Sequence, residues 1–153
     1  MVENLFPEED RCLYLDADII VNDNIWEFYH LDFGGADIAA CPKPIESIAG
    51  GTPPKPLVGQ EERYFNAGVL MLNLSKLRER DLVSECSEVI STVPGLRYGD
   101  QDILNIIFLN SCRLMDWSLY NFIVGNAKYS KSNDHCIYHY AGPLKPWTAR
   151  YKG

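Results

Sequence analysis

The stretch from Arg11 to Val21, read as Arg-Cys-Leu-Tyr-Leu-Asp-Ala-Asp-Ile-Ile-Val, constrains this chain more than any other. Leu13, Tyr14 and Leu15 on one side, and Ile19, Ile20 and Val21 on the other, make the kind of short apolar run that forms a strand covered on both faces. Two carboxylates, Asp16 and Asp18, interrupt it. In an extended backbone, side chains two apart point the same way, so this pair aims at one spot. Anions held that close repel, and each raises the other's pKa unless a cation lies between them. A divalent ion is the simplest partner, and hard oxygen ligands favour magnesium, manganese or calcium over zinc. The competing reading is turn chemistry, with one Asp capping the helix that follows.

Further along, Asn22 to Asn24 carry helix-start signals ahead of Ile25, Trp26, Phe28 and Tyr29. Residues 36–41 read as a small apolar strand. From 42 to 60 the prolines and glycines are too dense for regular structure, which predicts a flexible flap beside the site. Phe65 to Leu74 is a second strongly apolar strand, and Gly68 within it suggests either close approach to the backbone or a bulge. Beyond Asp81, the residues Leu82, Val83, Cys86, Val89, Ile90 and Val93 fall on one helical face and predict core packing. Asp100 is placed as the N-cap of a further helix, Ile103 to Leu109, which is apolar nearly all round and so expected to be buried. Cys112 to Met115 and Ile137 to Tyr140 read as short strands, and residues 117–129 as aromatic and irregular. His139 on the last strand is either a packed core histidine or a metal ligand.

At 153 residues the chain is expected to form a single domain. Its net charge of -7 argues against nucleic acid as a partner. The sequence shows neither an apolar run long enough to span a bilayer nor a signal-peptide pattern. Five scattered cysteines predict reduced thiols in a cytoplasmic protein. Cys136 and His139 have a zinc-site spacing, but no second pair answers them. Lys145, Arg150 and Lys152 form a small basic patch that suits either a solvated tail or anionic headgroups.

Four stretches then stand in order: Leu-Tyr-Leu-Asp16-Ala17-Asp18, Phe-Asn66-Ala67-Gly68-Val, Gly-Asp100-Gln101-Asp102-Ile-Leu-Asn105, and His139-Tyr-Ala-Gly142-Pro-Leu-Lys145-Pro-Trp147. Together they resemble the retaining glycosyltransferases of family 8, over nearly the whole chain from Arg11 to Trp147. The resemblance implies an α/β, partial Rossmann-like nucleotide-diphospho-sugar transferase fold, with a mixed, mainly parallel sheet flanked by helices. It implies hexose transfer from UDP-galactose or UDP-glucose to a glycan acceptor, such as a lipopolysaccharide, with retention of anomeric configuration. It also implies Mn2+, or Mg2+, on Asp16, Asp18 and His139. Asp16, Ala17 and Asp18, with Asn66, Ala67, Asp100, Gln101, Gly142 and Lys145, match donor-binding positions. Among them Asp100 matches the residue that holds the sugar hydroxyls and Gln101 the one under the anomeric carbon, and these two match the catalytic positions.

In that family a nucleotide-binding half precedes the Asp-x-Asp stretch, whereas here about ten polar residues do. Residues 1–153 are therefore expected to be the C-terminal part of a catalytic domain, truncated at the N-terminus, with weak or absent activity alone. A missing half supplied by another chain, a homo-oligomer, and peripheral contact with the inner face of a membrane stay open. Two alternatives remain. One is a non-catalytic or partner-completed sugar-nucleotide-binding fragment; the other is a haloacid-dehalogenase-like phosphohydrolase, which also places Asp-x-Asp after an apolar strand.

Overall fold

The computed structural model describes residues 2–43, 54–129, 133–142 and 145–148. Two sheets organise them. The larger has the order β1-β4-β3-β5, from β1 (Arg11–Leu15), β3 (Ile38–Pro42), β4 (Phe65–Asn73) and β5 (Cys112–Leu114). The smaller has the order β2-β7-β6, from β2 (Ile19–Val21), β6 (Phe122–Ile123) and β7 (Ile137–His139). The expected mixed sheet is present, with a smaller parallel share than expected. β3–β5 and β6–β7 run parallel, while β1–β4, β3–β4 and β2–β7 run antiparallel.

β4 is the spine because its continuous apolar run can be covered on both faces. Alternation along the central strands sends Ala39, Cys41, Val69 and Met71 to one core, with Phe28, Leu31, Tyr120 and Ile137. Ile38, Ala40 and Leu70 go to the other, with Leu74, Leu77, Leu82 and Phe108. Helices supply the outer layers: α1 (Val2–Leu5), α2 (Trp26–Tyr29), α3 (Leu74–Leu77), α4 (Leu82–Thr92), α5 (Asp100–Ile107) and α6 (Trp117–Tyr120).

Several expectations are corrected. The Leu13–Val21 run is not one covered strand. It breaks at residues 16–18, where the chain leaves the larger sheet and enters the smaller one, and Tyr14, Ile20 and Val21 are exposed. α4 buries Leu82 and Val89 but leaves Val83 and Ile90 each 61% exposed. α5 buries the polar Gln101, Asp102 and Asn105 more deeply than its apolar Leu104 and Ile107, which are only partly buried against the core. Its N-cap is Gly99, at φ 57°, a conformation that suits glycine, and Asp100 is the first helical residue instead. Of the expected flap, residues 44–53 lie outside the described residues, as do Pro143, Leu144, Arg150 and Lys152. The described remainder includes a 3-10 turn, Lys55–Leu57, whose Leu57 is buried.

Candidate metal and donor site

The turn between the sheets builds the site. Its first residue stays tied to the larger sheet, because Asp16 N–H donates to Gly68 O at 2.9 Å. Its last is tied to the smaller one, because Tyr140 N–H donates to Asp18 O at 2.9 Å. In the antiparallel β2–β7 ladder Ile19 faces His139, so the imidazole lands beside the turn. His139 Nε2 is 3.3 Å from Asp18 Oδ1 and 3.6 Å from Asp16 Oδ2. One ligand atom from each of Asp16, Asp18 and His139 lies within 4.8 Å of the others, and no other such cluster occurs among the described residues. The two aspartates thus converge as expected, though through a turn rather than through the pleat of a strand. Cys136 takes no part in the cluster.

Gly68 makes room for this convergence. A Cβ there would lie 2.3 Å from His139 Cε1 and 2.6 Å from Asp16 Oδ2, so any other residue would force the site apart. Of the two readings of this glycine, close approach is the one the structure shows.

A buried chain of hydrogen bonds fixes which nitrogen of His139 faces the carboxylates. Gly68 N–H donates to Asn66 Oδ1 at 3.0 Å, so that end of the Asn66 amide is an oxygen. Asn121 Nδ2 donates to the same oxygen at 3.0 Å, which turns Asn121 Oδ1 toward His139 Nδ1 at 2.9 Å. An amide oxygen only accepts, so Nδ1 carries the proton and Nε2 presents its lone pair to Asp16 and Asp18. Burial holds the imidazole below its usual pKa, against the pull of Asp18 and Asp16. Three acceptors therefore face one another. A shared cation satisfies that arrangement, and two carboxylates with one neutral imidazole suit a divalent ion.

In the other direction the chain runs to α5. Asn66 Nδ2 donates to Gln101 Oε1 at 3.0 Å, and Ala67 N–H donates to the same oxygen at 3.2 Å. Gln101 Nε2 donates to Tyr64 Oη at 2.8 Å, and Tyr64 in turn donates to Asp102 Oδ1 at 2.6 Å. Asp102 is fully buried, and its second oxygen accepts from the Arg97 and Tyr98 N–H groups at 2.6 and 2.8 Å. Burial and the Asp102 bond push the Tyr64 phenol well up, which keeps it a donor.

Lys145 pairs with Asp18 and also donates to Tyr140 O at 2.8 Å. Burial pushes the Asp18 carboxyl up, but the Lys145 hydrogen bond and charge outweigh it and hold the pKa below the usual value. Asn66, Gln101 and Gly142 line one cavity of about 390 Å3. Ala67 and the exposed Asp100 line a different one, of about 220 Å3, together with Tyr14. Ala17 is exposed at the tip of the turn. The sequence alone gives Tyr64, Asn121 and Lys43 no role, and no periodicity or spacing marks Asn121.

The profile of glycosyl transferase family 8 matches residues 1–150 of this chain. The chain is 31% identical over 155 residues to the lipopolysaccharide 1,3-galactosyltransferase of Salmonella typhimurium, a match covering 90% of this chain and 44% of that protein. It is 32% identical over 155 residues to the lipopolysaccharide 1,2-glucosyltransferase of Escherichia coli K12, with the same two coverages. Among solved structures it superposes on the galactosyltransferase LgtC in complex with donor and acceptor sugar analogs. The TM-score is 0.82 at 27% identity, covering 97% of this chain and 60% of that one. The chain thus spans less than half the length of these two curated relatives.

Proposed function

Because the chain belongs to glycosyltransferase family 8, we propose that it carries the metal- and donor-binding part of a retaining hexosyltransferase. The donor is a UDP-hexose, UDP-galactose or UDP-glucose, and the acceptor a glycan. The observation that supports this best is the meeting of Asp16, Asp18 and an Nε2 lone pair beneath a glycine that leaves them room. Family membership displaces the phosphohydrolase alternative. No helix among the described residues is long and apolar enough to cross a membrane. A site at the cytoplasmic face is proposed from the lipopolysaccharide-building relatives.

Asp16, Asp18 and His139 would hold Mn2+ or Mg2+, which when bound supplies positive charge where the leaving diphosphate becomes more negative. Lys145 adds a second positive charge at that end, and Gly142, at φ 112°, leaves the backbone there free of a side chain. Transfer joins an acceptor hydroxyl oxygen to the anomeric carbon as the bond from that carbon to the diphosphate oxygen breaks. The hydroxyl proton ends on the departing diphosphate. Gln101 Oε1 already accepts two hydrogen bonds from β4, and an amide is a poor nucleophile, so this residue positions and polarises. That favours attack from the face the diphosphate leaves over double displacement. Asp100, exposed on the first turn of α5, is free to hold sugar hydroxyls, with Asn66 and Ala67 beside the same sugar.

Calorimetry with Mn2+ and UDP tests the reading on the chain and on Asp18→Asn. Loss of one outer partner of a metal ligand costs ~10- to 100-fold in affinity, so loss of a ligand is expected to cost at least ~10-fold. Equal binding by both proteins would remove the metal assignment.

A further inference from the structure

The cavity of about 390 Å3 that Asn66, Gln101 and Gly142 share is also lined by Lys43, Tyr98, Ile123 and Asn126, and among the described residues Lys43 is the only charged one in its lining. The Lys43 ammonium stands 5.0 Å from the centroid of the Tyr98 ring and 6.0 Å from that of Tyr64. Its backbone is fixed there, since Lys43 N–H donates to Tyr64 O at 2.8 Å. Among the described residues no carboxylate lies within ion-pair distance of it. Asp102 attracts it only from a distance, and that carboxylate is already bonded to Tyr64, Arg97 and Tyr98. Burial works against the charged form. Two ring faces offset part of the lost hydration, but a half-buried cation opening on a cavity remains complementary to an anion.

The hydrogen-bond chain serves as a ruler for where that anion belongs. His139 and the aspartates stand at one end, Asn66 and Gln101 in the middle, and Tyr64 with the overlying Lys43 at the other. A diphosphate held at the metal end and a hexose over Asn66 and Gln101 leave Lys43 beyond the transferred sugar, on the side from which an acceptor approaches.

Resting on the sugar-transfer reading, we propose that Lys43 makes its own side of this cavity, beyond the Asn66 and Gln101 that face the donor hexose, a subsite for an acceptor sugar that carries an anionic group, a phosphate or a carboxylate. The ammonium gives a charge-assisted bond to that group, and the Ile123 side chain offers apolar surface to the sugar ring.

The test is calorimetry of glucose, glucose 6-phosphate and glucuronate against the chain and Lys43→Gln, with UDP and Mn2+ titrated into each protein as well. The two charged sugars are expected to bind the unaltered chain ~10-fold or more tightly than glucose, the scale of a hydrogen bond to a charged group. Preference for only one of them would identify phosphate or carboxylate as the group recognised. Lys43→Gln is expected to lose the preference while binding UDP with Mn2+ as before. The inference is overturned if charged and neutral sugars bind the unaltered chain alike, or if Lys43→Gln keeps the preference. It is also overturned if Lys43→Gln weakens UDP by the same factor as the charged sugars, since Lys43 then belongs to the donor. Failure of the unaltered chain to bind UDP with Mn2+ would remove the sugar-transfer reading and this inference with it. Tight UDP binding without a charge preference removes only the role of Lys43.

Discussion

α4 and α5 lie against each other in the fold and invert the usual rule in opposite directions. α4 leaves Val83 and Ile90 in solvent, while α5 turns Gln101, Asp102 and Asn105 inward. The difference lies in what each helix packs against. α4 touches the core at Leu82 and Val89 and needs little more to stay in place. α5 meets β4 where that strand opens, and there Asn105 accepts from Phe65 N–H at 2.8 Å and donates to Phe65 O at 2.9 Å. It bonds the Phe65 backbone as a neighbouring strand would. A polar helix face is therefore the means by which the strand's first backbone groups are satisfied and the site's hydrogen-bond chain is anchored.

Breaking this comparison at α5 is expected to give the largest effect. Asn105→Leu makes the helix more apolar, yet it orphans both backbone groups of Phe65 and removes the second hydrogen bond that Asn105 Nδ2 gives the Gln101 carbonyl at 2.8 Å. Each unsatisfied buried group costs ~1–3 kcal/mol, so a loss of about 2–6 kcal/mol is expected from the two Phe65 groups. Denaturant unfolding checks it. A variant as stable as the parent would show that the amide is a passenger.

How much of this was legible in the sequence follows from what each pattern records. β4 was, because an unbroken apolar run with asparagines at its ends has few other uses. The meeting of Asp16, Asp18 and His139 was legible through the family's spacing, although the backbone between the aspartates is a turn; sequence separation does not reveal that one sheet hands over to another there. The buried face of α5 was not legible. Hydrophobic periodicity counts residue types, and Asn105 is buried because of a partner forty residues away. Asn121 was hidden for the same reason, since its role exists only through the register that sets β6 beside β7.

Acid sharpens the contrast between the two helices. Burial keeps the His139 pKa, at the far end of the α5-anchored network, below its usual 6.5. As pH falls through that value, the unfolded chain takes up a proton that the folded one refuses, so stability drops. The α4 cap responds later. Asp81 accepts from Ser84 Oγ and Ser84 N–H, which hold its pKa below 3.8, so its contribution is lost only as pH falls below that value. Metal-free protein followed by circular dichroism is expected to lose thermal stability between pH 7 and 5. His139→Asn is expected to flatten that decline without altering the later loss below pH 4. An unchanged slope in the variant would place the acid sensitivity elsewhere.

The smallest effect is expected at α4. Val83 and Ile90 are each 61% exposed, so replacing them by polar residues removes little buried surface. Substitutions away from buried contacts usually stay within about 0.5 kcal/mol, and Val83→Thr with Ile90→Gln should do so. The measurement also tests what that face is for, because two exposed aliphatic side chains one helical repeat apart form an apolar stripe on α4. Unfolding of the double variant at two protein concentrations separates the cases. A midpoint that matches the parent at both concentrations leaves α4 a helix whose outer face carries no load. A midpoint that falls for the variant, with a parent value that rises with concentration, means that face is covered by another copy, and the two helices then obey one rule after all.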